Sequence, residues 1–276
     1  MTYPPVSVVA KLDRAREHLN TLEAETRQFV EGDAQTPWGI DIEVNSTAGE
    51  WKASWHAGHP PLPPRFAVIF GEFFYLVRSA MDHLAHQLVV VSKNTPIKEN
   101  VFPVAESVDK FKSLGPQRMQ GMSGPIQTAI QALQPYEVRP QHPTDTHIWY
   151  IHDFCNIDKH RLLHLSELWL FSGNVAFSAQ SGGEAIPIRA HKRPQRMRLD
   201  QDALIAHYSW NPGRTLGKKA QMQVKFEFSY DVALAEGTFV DSAGNPFEGM
   251  GTLQLMRESI DYMDATLLPK FEPFFD

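Results

Sequence analysis

The chain has 276 residues, of which 42% are hydrophobic and 21% charged, enough to bury a sizeable core within a single domain spanning 1–276. A formal net charge of −6 excludes a globally basic nucleic-acid binder, so contact with nucleic acid would need a local patch. Cys155 is the one cysteine, which excludes an intramolecular disulfide and suits a reducing compartment. The N-terminus lacks a basic run followed by an apolar one, and the most apolar window carries charges at its centre. A soluble, cytoplasmic protein with no membrane partner is expected.

A first helix is expected over Val6 to Val30, where Val9, Leu12, Leu19, Leu22 and Phe29 keep a helical line. Two alternating runs, Trp38 to Asn45 and Glu50 to His56, read as a β-hairpin. The Pro-rich stretch His59 to Arg65 then sets the start of a long central helix, Arg65 to Val91, in which Phe66, Phe70, Phe73, Val77, Met81, Leu84, Leu88 and Val91 form one buried line. A short extended link over Val101 to Ser107 precedes a brief helix at Val108 to Leu114. Another helix follows at Pro125 to Leu133, and one more starts at Thr144 or Thr146.

Leu162 to Phe171 suits either a continued helix or a strand. From Asn174 the character is β: NVAFSAQ, AIPIRAH, ALIAHYSW and QMQVKFEFSYDVAL alternate between turn signals. A last helix, Thr252 to Leu268, ends at Pro269. The expected fold is α+β: a helical bundle of about five helices over 6–161, with the hairpin at 38–56, an antiparallel β-rich part over 162–235 beside it, and the C-terminal helix.

The central helix is two-sided. Tyr75, Ser79, Asp82, His83 and His86 gather opposite its apolar line, with Arg78 at the edge. An Arg and a His are what metal-independent RNA cleavage needs: the imidazole moves a proton at the 2′-hydroxyl or the leaving oxygen, and the guanidinium stabilises charge on the phosphate. The simplest alternative is that Arg78 and Asp82, at i and i+4, form an ordinary ion pair.

A second polar group lies in Asn156-Ile-Asp158-Lys159-His160-Arg161, with His152, Asp153 and His164 nearby. Trp149, Asp153, Asn156, His160 and His164 share one helical side, while Ile148, Ile151, Cys155 and Leu162 make the core line. Lys159, His160 and Arg161 complement a helix C-terminus. Asp158 does not fit that account, and pairing with Arg78 is one way to place it.

The spacing of Arg78 and His83 resembles the Arg-x(4 to 6)-His signature of the HEPN superfamily, which includes ribonuclease toxins and defence effectors; Ser79 stands where that family usually has Asn, Asp or His. The order RSAMDH, FPV (Phe102 to Val104), QPY (Gln134 to Tyr136) and NIDKHR is similar to an uncharacterised bacterial protein family, over roughly Gly71 to Leu165.

Three readings stay open. The HEPN resemblance implies a metal-independent RNA endonuclease, or an RNA-directed toxin or defence protein, acting as a homodimer on RNA without a cofactor. Arg78, His83 and Asp82 would then be catalytic, and Ser79, His86, Asn156, Asp158, Lys159, His160 and Arg161 would bind substrate. A metal-binding bundle would use Asp82, His83, His86, Asp153, His160 and His164 as ligands. A non-catalytic binding or structural module would use the polar stripes as a buried network, with Trp38, Trp51 and Trp55 as partner surfaces. No Gly-rich phosphate loop, CxxC pair, GxSxG elbow or HExxH is present.

Overall fold

The computed structural model describes residues 3–31, 39–45, 47–56, 61–159, 165–181, 184–185, 187–192, 197–198, 202–211, 221–234 and 251–275. The fold is mixed α+β, with seven α-helices and a four-stranded antiparallel sheet among the described residues. By internal contacts the chain divides into two compact units: Met1–Ala24 with Pro63–Leu165 and Leu234–Asp276, and Glu25–Leu62 with Ser166–Ala233.

The helical unit is built on the central helix, α2 (Pro64–Val91). Pro64 opens it, where a missing N–H costs nothing. Its core line is buried as expected at Phe66, Phe70, Phe73, Val77, Met81, Leu84 and Leu88. The first helix, α1 (Val6–Glu31), buries Val8, Leu12, Ala15, Leu19 and Leu22 at spacings of three and four. Val9, expected on that line, is exposed instead.

The brief helix α3 (Val108–Arg118) is capped by Ser107, whose hydroxyl accepts from the Lys110 amide at 3.3 Å. It runs one turn past the expected stop and carries Pro116 inside it. Next come α4 (Gly124–Gln131), the single turn α5 (Pro135–Val138) and α6 (His147–Asp158), which begins after Thr146. α6 packs along α2, with Phe154 against Phe70 and Phe74. The last helix, α7 (Thr252–Tyr262), does not continue to 268 as one α-helix. It widens into a π-turn over Met263–Leu267 and tightens to 3₁₀ at Leu268–Lys270, around Pro269. The π-turn carries Asp264, whose carboxylate accepts from Arg16 of α1 at 2.6 and 2.8 Å.

The β unit contains the expected hairpin, β1 (Gly39–Asn45) and β2 (Glu50–His56), paired antiparallel from Gly39 opposite His56 to Asn45 opposite Glu50. From Leu165 on, the ambiguous segment is a strand: β3 runs over Leu165–Ser181. The other strands are β4 (Glu184–Ala185), β5 (Ile188–Lys192), β6 (Met197–Arg198), β7 (Ala203–Trp210) and β8 (Gln221–Leu234). One sheet has the order β1-β2-β7-β5; in the other β3 lies between β4 and β6 and also pairs β8.

Alternation along β2 turns Trp51, Ala53 and Trp55 to its covered side, and Trp51 meets Tyr208 of β7 at 5.6 Å between ring centroids. Trp51 and Trp55 are therefore core residues rather than a partner surface, because they share the strand's buried parity. Trp38 lies outside the described residues.

Candidate functional site

Between α2 and α3 the chain runs extended through Phe102, Pro103, Val104 and Ala105, all buried and in no strand. Buried amides and carbonyls outside a sheet must find partners elsewhere, and here side chains supply them. Arg78 Nη2 donates to the Phe102 carbonyl at 2.6 Å and to Asp82 Oδ1 at 2.8 Å. Asp82 Oδ1 in turn accepts from the Phe102 amide at 2.9 Å. One i,i+4 pair on α2 thus satisfies both main-chain groups of Phe102.

Gln134, fully buried, does the same for the next residues. Its Nε2 donates to the Pro103 carbonyl at 2.9 Å and the Ile130 carbonyl at 3.1 Å, and its Oε1 accepts from the Ala105 amide at 3.0 Å. Asn100 fixes the approach: its Oδ1 accepts from the Ile97 amide at 2.7 Å, and its Nδ2 donates to the Arg118 and Gln120 carbonyls at 3.0 Å each. Three motifs far apart in sequence, RSAMDH, FPV and QPY, are one strap and its fastenings.

The polar side of α2 continues past this strap into an open cavity of about 510 Å³. It is lined by Ser7 of α1, by Asp82, His83, His86 and Gln87 of α2, and by Ile97, Lys98 and Asn100 of the following loop. Asp82 belongs to both places, with Oδ1 committed to the strap. Among the described residues neither His83 nor His86 has a hydrogen-bonded or charged partner. Arg78 does not line the cavity; its side chain is only 8% exposed and is drawn toward Phe102.

On α6 the residues singled out from sequence disperse. Asp158 does not pair with Arg78: its carboxylate fills the space over Gly71 of α2, where an added Cβ would lie 1.9 Å from Oδ1. A helical glycine two turns before Arg78 makes that seat, and burial, then Glu72, pushes the Asp158 carboxyl up. Asn156 bonds His152 Nε2 at 3.1 Å. His152 is held neutral, its pKa pushed down to about 3 by burial and then by the charges of Arg78, Arg118 and Lys159. Cys155 is buried, and burial pushes its thiol up, as expected for a core residue rather than a nucleophile.

Arg78 and Lys159 each act on His152 of α6, while Asp158 is seated over Gly71. His160, Arg161 and His164 lie outside the described residues. Ser79 is half-buried and does not line the cavity. Among the described residues no three His, Cys, Asp or Glu side chains are grouped to hold a metal ion.

Reading by motif missed Asn100, Gln87, Lys98 and Arg118. Gly71 did carry a signal, a glycine inside a strong helical pattern, which marks a close approach. Compared with protein-family models, curated proteins and solved structures, the chain matches none. No helix among the described residues is long and apolar enough to cross a membrane.

Proposed function

We propose that the protein is a binding module whose site is the cavity beside Asp82, and that the RSAMDH, FPV and QPY motifs are the frame of that site. The observation that carries this reading is the commitment of Arg78. A guanidinium nine-tenths buried, bonded to Asp82 and to a main-chain carbonyl, does the work of an architectural brace. The cavity beside it offers a carboxylate, two imidazoles, an ammonium, the Gln87 amide, a hydroxyl and one aliphatic side chain, with Asn100 already bonded to the main chain, which suits a small polar ligand. Equilibrium dialysis of the full chain against a mixture of polar metabolites, read by mass spectrometry, tests it. A compound retained by wild type and released by His83→Ala or His86→Ala supports the assignment; equal retention by all three removes it.

Cleavage of RNA is the second reading, and the two unpartnered imidazoles in one cavity favour it. One would take the 2′-hydroxyl proton as that oxygen attacks phosphorus, and the other would protonate the departing 5′-oxygen. Lys98 would face the phosphate, Arg78 would act only by holding Asp82, and a homodimer would complete the cleft as the HEPN resemblance implies. Incubating total RNA in EDTA with wild type, His83→Ala and His86→Ala separates the two. Cleavage by wild type alone favours the nuclease, and intact RNA throughout favours binding.

A further inference from the structure

Among the described residues the sheet β1-β2-β7-β5 ends in two strands that pair on one side only. A free edge presents unpaired amides and carbonyls along its length and is a template for another strand. On β1 the covered side of the sheet runs out. Trp51 and Ala53 of β2 are 1% and 0% exposed, while Val44 and Ile42, paired opposite them, are 47% and 48% exposed. Glu43, between the two, is exposed on the other face, and the cation across from it, Lys52, is held by Glu50 at 3.3 Å. At the far edge β5 carries the complementary pattern. Ile188 and Ala190 are half-buried opposite Trp210 and Tyr208, and Arg189 between them is exposed with no carboxylate partner among the described residues. Pairing of β1 with its own counterpart in another copy is opposed by charge. The registers that keep most of β1 paired set Asp41 against itself, Glu43 against itself, or one against the other.

We propose that β5 of a second copy of this chain adds to β1, continuing the sheet from one molecule into the next. β1 is antiparallel to β2, β2 to β7 and β7 to β5, so a second copy in the same orientation brings β5 antiparallel to β1 with its covered side on the same face. The hydrogen-bonding phase matches too. Val44, Trp51, Tyr208 and Ala190 stand in one row across the four strands, and along such a row bonded and non-bonded pairs alternate. Val44 and Ala190 are therefore in the same phase at the two free edges. Setting Ile42 opposite Ala190 and Val44 opposite Ile188 keeps both that phase and the covered face. Glu43 then stands directly across from Arg189, and each supplies the charge that the other lacks among the described residues of its own chain. The register shift after Ala190 ends the regular pairing, and Lys192 beyond it adds positive charge on the Asp41 side. The two surfaces differ, so the contact does not close on a pair and leaves a free edge at each end. It uses no residue of the cavity assigned above.

The test is analytical ultracentrifugation of the full chain from micromolar to millimolar concentration. The weight-average mass of wild type is expected to rise with concentration and to pass that of two chains. Glu43→Lys and Arg189→Glu each move that rise to about tenfold higher concentration, the swing from an attractive to a repulsive cross-strand pair. An equimolar mixture of the two variants brings it back, because each altered edge then meets its opposite charge and each unaltered edge meets the other. Both side chains are exposed, so the melting temperature of either variant in dilute solution equals that of wild type. A wild type that stays a single chain throughout overturns the proposal and leaves the edge charges as guards against pairing. Association unchanged in either variant, or a mixture that associates no better than its components, overturns it as well.

Discussion

Two stretches of one helical side, less than three turns apart on α2, carry similar residue types and do opposite things. Around Arg78 and Asp82 each bond closes onto the strap at Phe102; around His83 and His86 the polar groups meet none of the described residues and face an open cavity. Burial with matched partners marks architecture, and partial burial without partners marks a place for a ligand. The apolar line of α2 gives both stretches the same rigid backbone, so the contrast comes from what each faces.

The largest expected effect is on the strap. Arg78→Ala leaves Asp82 and the Phe102 carbonyl without their cation and costs about 3 to 5 kcal/mol in urea unfolding. A midpoint within error of wild type would dissolve the distinction between the two stretches. Gln134→Ala, which strands the Ala105 amide and the Pro103 carbonyl, costs about 2 to 3 kcal/mol by the same measurement.

His152 sharpens the picture through pH. Its folded pKa lies below the ordinary value, so as pH falls below about 6.5 the unfolded chain takes up a proton that the folded one refuses. Stability is fully present above that point and is lost down to about pH 3, with a slope of at most about 1.4 kcal/mol per pH unit from this group. Difference melts of wild type and His152→Gln between pH 7 and 4 isolate it: the variant's curve should be the flatter one. Parallel curves would place His152 in a solvated position.

A smaller effect comes at Gly71. Alanine in a helix interior normally gains about 1 kcal/mol over glycine. Here Gly71→Ala loses about 1 to 2 kcal/mol, because its methyl meets the Asp158 carboxylate. Adding Asp158→Ala should turn that loss into a gain; a stabilising single variant would show that the carboxylate moves aside freely. The smallest effect belongs to the cavity, where His83→Ala and His86→Ala stay within about 0.5 kcal/mol of wild type.

Much of this fold was legible because its elements obey simple periods. The core line of α2, the hairpin register and the run of strands after Asn174 follow from spacings of 3.6 and 2. What escaped were features set by tertiary partners. The extra turn of α3 through Pro116 and the π-turn after Tyr262 depend on packing that no local pattern carries, and at Leu165, where the pattern suits helix or strand alike, the outcome is a strand. At the site, Arg78 with Asp82 could be foreseen as an i,i+4 pair, and the distinctness of FPV and QPY could be noticed. Their common purpose could not, because side chains bonding the backbone of a distant extended segment leave no periodic trace. The seat of Asp158 is hidden for a related reason: charge offers Arg78 as one partner, while the room for the carboxylate is made by a glycine two turns before that arginine.

The central claim is that the α2 ion pair stands in for a neighbouring strand and holds the Phe102 segment. Native-state hydrogen exchange at the Phe102 amide measures this directly, since in the structure that proton goes to a carboxylate rather than to any sheet or helix. Protection comparable to the amides in the middle of α2 is predicted, with a fall on Asp82→Ala to the level of an open loop. Exchange at Phe102 as fast in the wild type as in an unstructured peptide would contradict it.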